Sequence, residues 1–223
     1  MSRRPARGKT RILTAGYRVP DGWFSFLVAD ASDALAVELG RCHADTPAGQ
    51  AFLTNSLVSL IRNAVEDCVG RLFIYVPDRR TGEVVAFARG STLVIPRGQD
   101  ATAEAYAARS PRKIGGANFK VLGHSASVVQ CPAGPAACVF TLQRRRYTTS
   151  TLLEADFVIF PPYEGLREGV RIRMYSTHLE LEEDMGRWCR TIAEGVDTDV
   201  GYADGTILAT FGDDSVDVDG SGT

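Results

Sequence analysis

The sequence predicts an α+β fold: a single antiparallel β-sheet packed with helices. Three observations carry this. Residues 136–195 read as three antiparallel strands closing onto one amphipathic helix. Earlier apolar runs are joined by Gly- and Pro-containing turns of hairpin type. The parts sum to about seven or eight strands, mostly antiparallel neighbours, with three or four helices, which is an α+β inventory.

The three strands are read from their alternation. In residues 170–176, Val170, Ile172 and Met174 alternate with Arg171, Arg173 and Tyr175. A strand sends successive side chains to opposite faces, so one face is apolar and the other solvated. Residues 153–159 set Leu153, Ala155, Phe157 and Ile159 against Glu154 and Asp156, and residues 138–147 set Phe140 and Leu142 against Thr141, Gln143 and Arg145. Matching apolar to apolar fixes the register, since a one-residue slip turns every side chain over. It places Leu142 opposite Phe157 and Arg145 opposite Glu154, then Phe157 opposite Ile172 and Asp156 opposite Arg173. Each opposite-charge pair contributes roughly 0.2–1 kcal/mol. In the helix that follows, Ser176 or Thr177 is the expected N-cap, and Glu180, Glu182 and Glu183 suit the dipole of the first turns. Leu181, Met185, Trp188, Cys189 and Ile192 form one apolar stripe, and Gly195 ends it.

The rest of the chain supplies the remaining elements. Residues 23–28 are a buried extended segment beginning at Trp23, and residues 30–42 a short helix with Ala34, Leu35 and Leu39 inward. Asp45, Thr46 and Pro47 start a helix carrying Phe52, Leu53, Leu57, Leu60, Ile61, Ala64, Val65 and Cys68, which Gly70 stops. Residues 72–76 and 83–88 flank a turn containing Gly82 and form a hairpin, extended by residues 91–95. Residues 101–109 are a short alanine-rich helix, and residues 112–117 a basic loop. Short strands are expected at 118–122 and 125–131 around Gly123 and His124, and a last apolar run at 207–211 either adds an edge strand or docks.

A chain of 223 residues with no internal linker is read as one domain, residues 12–212, between a disordered basic arm at 1–11 and a disordered acidic tail at 213–223. The arm holds Arg3, Arg4, Arg7, Lys9 and Arg11, and its second reading is a weak tether to anionic lipid or nucleic acid. A net charge of −2 argues against a dedicated nucleic-acid binder. No apolar signal core follows the arm and no run is long enough for an integral membrane segment. Five cysteines, an odd number, point with this to reduced thiols and a cytoplasmic location. Cys68 and Cys189 are expected on apolar helix faces.

Chemistry-bearing motifs are sparse. The three histidines, His43, His124 and His178, form no metal-ligand spacing with one another or with cysteines, so no metal and no cofactor is expected. Cys131 and Cys138 bracket a Pro/Gly turn, so a hairpin brings them toward each other either as a redox pair or as two inert thiols. There is no Gly-x-Ser-x-Gly elbow and no phosphate loop, so no catalytic residue is assigned. Arg145, Arg171 and Arg173 share the polar face with Glu154 and Asp156, either as a solvated mixed-sign face or, with His124, as an anion-binding one. Pro161, Pro162 and Tyr163 open a link longer than a tight hairpin needs, a candidate interaction loop with an aromatic tip.

Val19-Pro20-Asp21-Gly22-Trp23 resembles the Val-Pro-x-x-Trp opening of a group of uncharacterised actinobacterial proteins. Their order of helix pair, hairpin, Gly-x-x-Ala before a strand, meander and closing helix is matched here by residues 45–70, 72–88, Gly123 to Ala126, and 136–195. The resemblance implies a Mog1/PsbP-like α/β sandwich over residues 12–196 and brings no catalytic motif. Some members are encoded near specialised-secretion genes.

The expected function is a non-enzymatic interaction or accessory module with an unknown protein partner, using the sheet rim and the loop at 161–169. The alternative is a small anionic-ligand binder or an unrecognised enzyme, with Arg145, Arg171 or Arg173 holding the anion and His124 or His178 supplying acid–base chemistry. A homodimer through a sheet edge or apolar face is the third expectation.

Overall fold

The longest helix starts where its local chemistry requires. The Thr46 hydroxyl accepts the Gly49 N–H at 3.0 Å, and Pro47 fills the first helical position, where its missing N–H costs nothing. This is helix α2, Pro47–Glu66. A computed structural model describes residues 9–109, 119–146 and 148–212. Ahead of α2 come β1 (Thr10–Gly16), β2 (Trp23–Leu27) and α1 (Asp33–His43). After it come β3 (Arg71–Tyr75), β4 (Ala86–Val94), α3 (Ala103–Arg109), β5 (Phe119–Cys131), β6 (Gly134–Arg145), β7 (Thr151–Ile159) and β8 (Glu168–Ser176). Helix α4 (Glu182–Glu194), β9 (Asp197–Tyr202) and β10 (Ile207–Phe211) complete the fold.

Helix and strand are mixed and the sheets are antiparallel, but there are two of them rather than the single sheet expected. Seven strands run in the order β2-β3-β4-β8-β7-β6-β5, and three more form a second sheet, β1-β9-β10. The second sheet escaped the sequence because β1 and β9 pair across almost the whole chain, Ile12 opposite Val200, with no hairpin turn to announce them. The basic arm also gives up residues to it, since Thr10 and Arg11 lie in β1, while residues 1–8, the loop at 112–117 and the acidic tail fall outside the described residues.

The central register confirms one expected pair and shifts the other. Phe157 stands opposite Ile172 and Asp156 opposite Arg173. Between β6 and β7, however, Leu142 faces Leu153, Cys138 faces Phe157, and Thr141 rather than Arg145 faces Glu154. The displacement is even, so every face keeps its polarity. Alternation specifies which face is buried and cannot specify which even register the loop allows.

One face of the large sheet carries the main core. Phe157, Ile172 and Met174 pack under Met185, Cys189 and Ile192 of α4, with Ile12 and Val200 of the small sheet in the same cluster. Trp23 stacks on Tyr75 at 5.4 Å and meets Trp188 edge-on at 5.2 Å. Helix α4 begins after a short 3-10 turn and has no side-chain cap, because Ser176 uses its hydroxyl on the Val85 carbonyl and the His178 N–H instead. On the opposite face, α1 and α2 bury Leu53, Leu57 and Ile61 over Phe26, Leu72 and Ile74. At the other end of that face α3 closes a third cluster of Ile95, Ala103, Ala137, Val158 and Phe160.

Three local expectations change. Cys68 is exposed and takes φ +54°, the left-handed conformation that ends α2 ahead of Gly70. Phe52 and Val65 lie on the outer side of α2, and Ala34 on the outer side of α1. Gly123 and His124 do not turn: β5 is one strand of 13 residues, bulged between Val121 and Gly123.

The packing makes a contrast that urea unfolding reads directly. Ile172→Ala opens space between β8 and α4, an expected loss of about 2–5 kcal/mol. Val65→Ser on the outer side of α2 is expected to stay within about 0.5 kcal/mol. Equal losses at the two positions would contradict the assigned faces.

Candidate functional site

Neighbouring strands place chemistry on matching rungs of the second face. Phe87, Tyr175, Glu154, Thr141 and His124 form one rung across β4, β8, β7, β6 and β5, and Arg89, Arg173 and Asp156 begin the next. This strip lies between the cluster under α2 and the cluster under α3. It is far drier than its residue types imply, with Asp156 only 4% and Glu154 6% exposed.

Burying carboxylates carries a desolvation cost of several kcal/mol per ion unless they are paired and hydrogen-bonded. Both conditions hold. Arg171 donates twice to Asp156, Nε to Oδ1 at 2.7 Å and Nη2 to Oδ2 at 2.6 Å. Tyr106 of α3 donates its hydroxyl to Asp156 Oδ2 at 2.9 Å, and Gln143 Nε2 donates to Glu154 Oε2 at 2.9 Å. Arg173 is at ion-pair distance from both acids, 3.2 Å from Glu154 and 3.6 Å from Asp156, although its Nε is not aligned for a hydrogen bond. Its Nη1 donates to the Tyr175 hydroxyl at 3.3 Å. Arg89 lies over the Phe87 and Tyr175 rings, 5.6 Å from each centroid, and pairs with Asp67.

Burial, then the neighbouring Asp156 charge, pushes the Glu154 carboxyl up to about 7, against the opposing pull of Arg171 and Gln143. Burial and the Asp156 charge likewise raise Tyr106 to about 12. Burial and the Glu154 charge also raise the Tyr175 phenol, so the strip binds one proton near neutrality and both phenols stay neutral. Among the described residues no group of three or more His, Cys, Asp or Glu side chains is placed to hold a metal ion.

The residues singled out in the sequence divide accordingly. Arg171 and Arg173 come together on the strip, each facing a carboxylate. His124 lies on the same face at the exposed end of the rung, Nδ1 3.5 Å from Thr141 Oγ1. Arg145 is exposed, four residues beyond Thr141 on β6, which is roughly 13 Å along a strand. His178 faces Glu180 at 3.1 Å and Glu83 at 3.7 Å. Pro161 is buried and Tyr163 packs against the main core, so the loop has no aromatic tip. With Thr102 and Glu104 it walls an open cleft of about 350 Å³.

Cys131 and Cys138 sit four rungs apart on the β5–β6 ladder, roughly 13 Å, where a disulfide requires Cα atoms within about 7 Å. Burial and the Cys131 charge push the Cys138 thiol up to about 12, so it stays protonated.

Sequence reading missed a second feature, the β5 edge. The 13 residues of β5 pair with β6 alone, and residues 124–127 are exposed. Among the described residues no backbone hydrogen bond reaches β5 from outside that ladder. Edges are usually blunted by charge, proline or a bulge. Here Lys120 is the strand's one charge, there is no proline, and the bulge affects only its first third. Beside it, on the α4 side, Ser127, Val129, Phe140, Gly186 and Arg190 border an open cleft of about 340 Å³. The signal was present as an apolar, nearly uncharged run, but Gly123 was read as punctuation rather than as a bulge.

No family model and no curated protein matches the chain. Among solved structures it is similar to LpqN of Mycobacterium tuberculosis, described as involved in cell envelope biogenesis. The identity is 13% and the TM-score 0.44, covering 86% of this chain and 85% of that one. The cytoplasmic location expected from the sequence is withdrawn against this finding of similarity to an envelope-biogenesis protein. Among the described residues no helix is long and apolar enough to cross a membrane.

The raised Glu154 carboxyl makes a signed prediction. The folded state holds this proton more tightly than the unfolded chain, so its contribution is present below about pH 4.5 and is lost as pH rises toward 7. Relative to Glu154→Gln, the wild type should lose roughly 3 kcal/mol over that window and nothing further above it. Thermal melts at stepped pH check this; a stability difference that stays constant from pH 4.5 to 8 would refute it.

Proposed function

We propose that this protein is a non-enzymatic interaction module that receives an extended strand along β5. The carrying observation is the edge itself: 13 residues with one charge, exposed at residues 124–127, and no outer backbone partner among the described residues. Each added strand satisfies a row of backbone groups, while side-chain pockets beside it set the choice of partner. The cleft bordered by Val129, Phe140 and Arg190 offers an apolar floor with a cationic rim for that purpose.

The alternative reading, an anion held by Arg171 and Arg173, gains no specific support, because Asp156 and Glu154 already face those guanidinium groups. The layer order favours the Mog1/PsbP-like sandwich that the sequence pattern resembles, with α1, α2 and α3 on one face of the large sheet and α4 on the other. The strip of Glu154, Asp156, Arg171 and Arg173, with Gln143, serves in this account to tie β6, β7 and β8 together.

A photo-cross-linking residue at Ser125, introduced in living cells of the source, tests the proposal. It should give adducts that the double change Ser125→Lys with Ser127→Lys abolishes, since charge blunts an edge without touching the core. The same probe at Ser59, on α2, should give none of these adducts. Identical adducts from both positions, or none from either, would overturn it.

A further inference from the structure

We propose that the open end of the β5–β6 ladder is a second site, a cationic cleft that takes a phosphate group. This site is separate from the β5 edge and does not rest on the reading of that edge.

The sequence contains three consecutive arginines, Arg144, Arg145 and Arg146. Along a strand they cannot form one patch, because successive side chains take opposite faces. The ladder supplies what the run alone lacks. Arg144 lies two residues beyond Leu142, which packs against the main core, so Arg144 stands on the α4 side of the sheet. Lys120 of β5 is directly opposite it and shares that side. Arg146 follows in the turn after β6. With Thr148 and Thr149, these three cations line an open cleft of about 670 Å³. Arg145 takes the opposite face and does not line it.

Two observations separate this cleft from an ordinary solvated surface. Lys120 and Arg144 are like charges directly opposite each other on the ladder. Such pairs have Cβ atoms about 4.5–5.5 Å apart and destabilise a sheet. The neighbour of Arg144 on its other side is Thr151 of β7, which brings no charge to offset the repulsion. Further, among the described residues no carboxylate pairs with Lys120, Arg144 or Arg146, whereas Arg171 and Arg173 on the same sheet each meet an acid. The repulsion stands in the free protein and is relieved when an anion enters between the two charges.

The charge count selects the ligand. The whole chain has a net charge of −2, so three cations around one cleft are a local concentration. A lone carboxylate neutralises one of them. A phosphate monoester carries about two negative charges near pH 7, and its oxygens match the planar guanidinium fork. The cleft also falls within the range of small-ligand sites, about 300–1,000 Å³. The phosphate is either free in solution or carried on a lipid headgroup.

Calorimetric titration of the full chain with inorganic pyrophosphate at low salt tests the free ligand. Flotation with vesicles containing phosphatidic acid, set against phosphatidylcholine alone, tests the headgroup. Whichever probe the wild type binds, Lys120→Gln and Arg144→Gln should each weaken that binding about tenfold. Arg145→Gln removes the same charge from the opposite face and should change it by no more than about twofold. Thermal melts give an independent readout. Without a phosphate probe, Lys120→Gln should melt no lower than the wild type, since it removes a repulsion. It should also lose the upward shift that the bound probe gives the wild type. Pyrophosphate binding without flotation assigns a free ligand, and flotation without pyrophosphate binding assigns a headgroup. Binding of neither probe, or a loss at Arg145→Gln equal to that at Arg144→Gln, overturns the inference.

Discussion

The pairing of β7 with β8 is the constraint on which the rest of the structure depends. One rung sets Phe157 against Ile172, and the next sets Asp156 against Arg173. The first directs an apolar surface toward α4, where Met185, Cys189 and Ile192 cover it. The second directs acids and guanidinium groups to the opposite face. A slip of one residue would bury Arg173 under α4 and expose Phe157, so the two faces select the register together.

The polar face behaves as a structural layer of its own. Alternation in residues 153–159 and 170–176 shows that Glu154, Asp156, Arg171 and Arg173 share a side, but it cannot show that the side is roofed. The roof comes from elements far away in sequence, with Tyr106 of α3 donating to Asp156 across 50 positions. A solvated mixed-sign face and a buried network have the same local pattern. Only the tertiary cover separates them, and that cover turns Glu154 into a group that titrates near neutrality.

Much of the fold was readable because its signals are local. The Thr46–Pro47 start, the hairpin through Gly82, the meander and the stripe of α4 each lie within a few residues of their cause. What escaped depends on distance. The partners β1 and β9 stand nearly the whole chain apart, with Thr14 and Asp199 bonded across 185 positions. The even shift between β6 and β7 is set by a loop whose geometry alternation does not encode. Gly123 shows the third kind of miss: glycine serves both turns and bulges, and only the continuous ladder with β6 decides between them. Of the candidate site, the arginines were visible as residue types, while their pairing and the open edge were not.

The edge gives the molecule its one long unpartnered run of backbone among the described residues, beside a sheet whose interior bonds are otherwise closed. Hydrogen exchange followed amide by amide on the isolated protein tests this most directly. The account predicts that the outward-facing amides of His124, Ala126 and Val128 exchange fast while those of β7 and β8 stay protected. Protection of the His124 and Ala126 amides equal to that of β7 and β8 would contradict it.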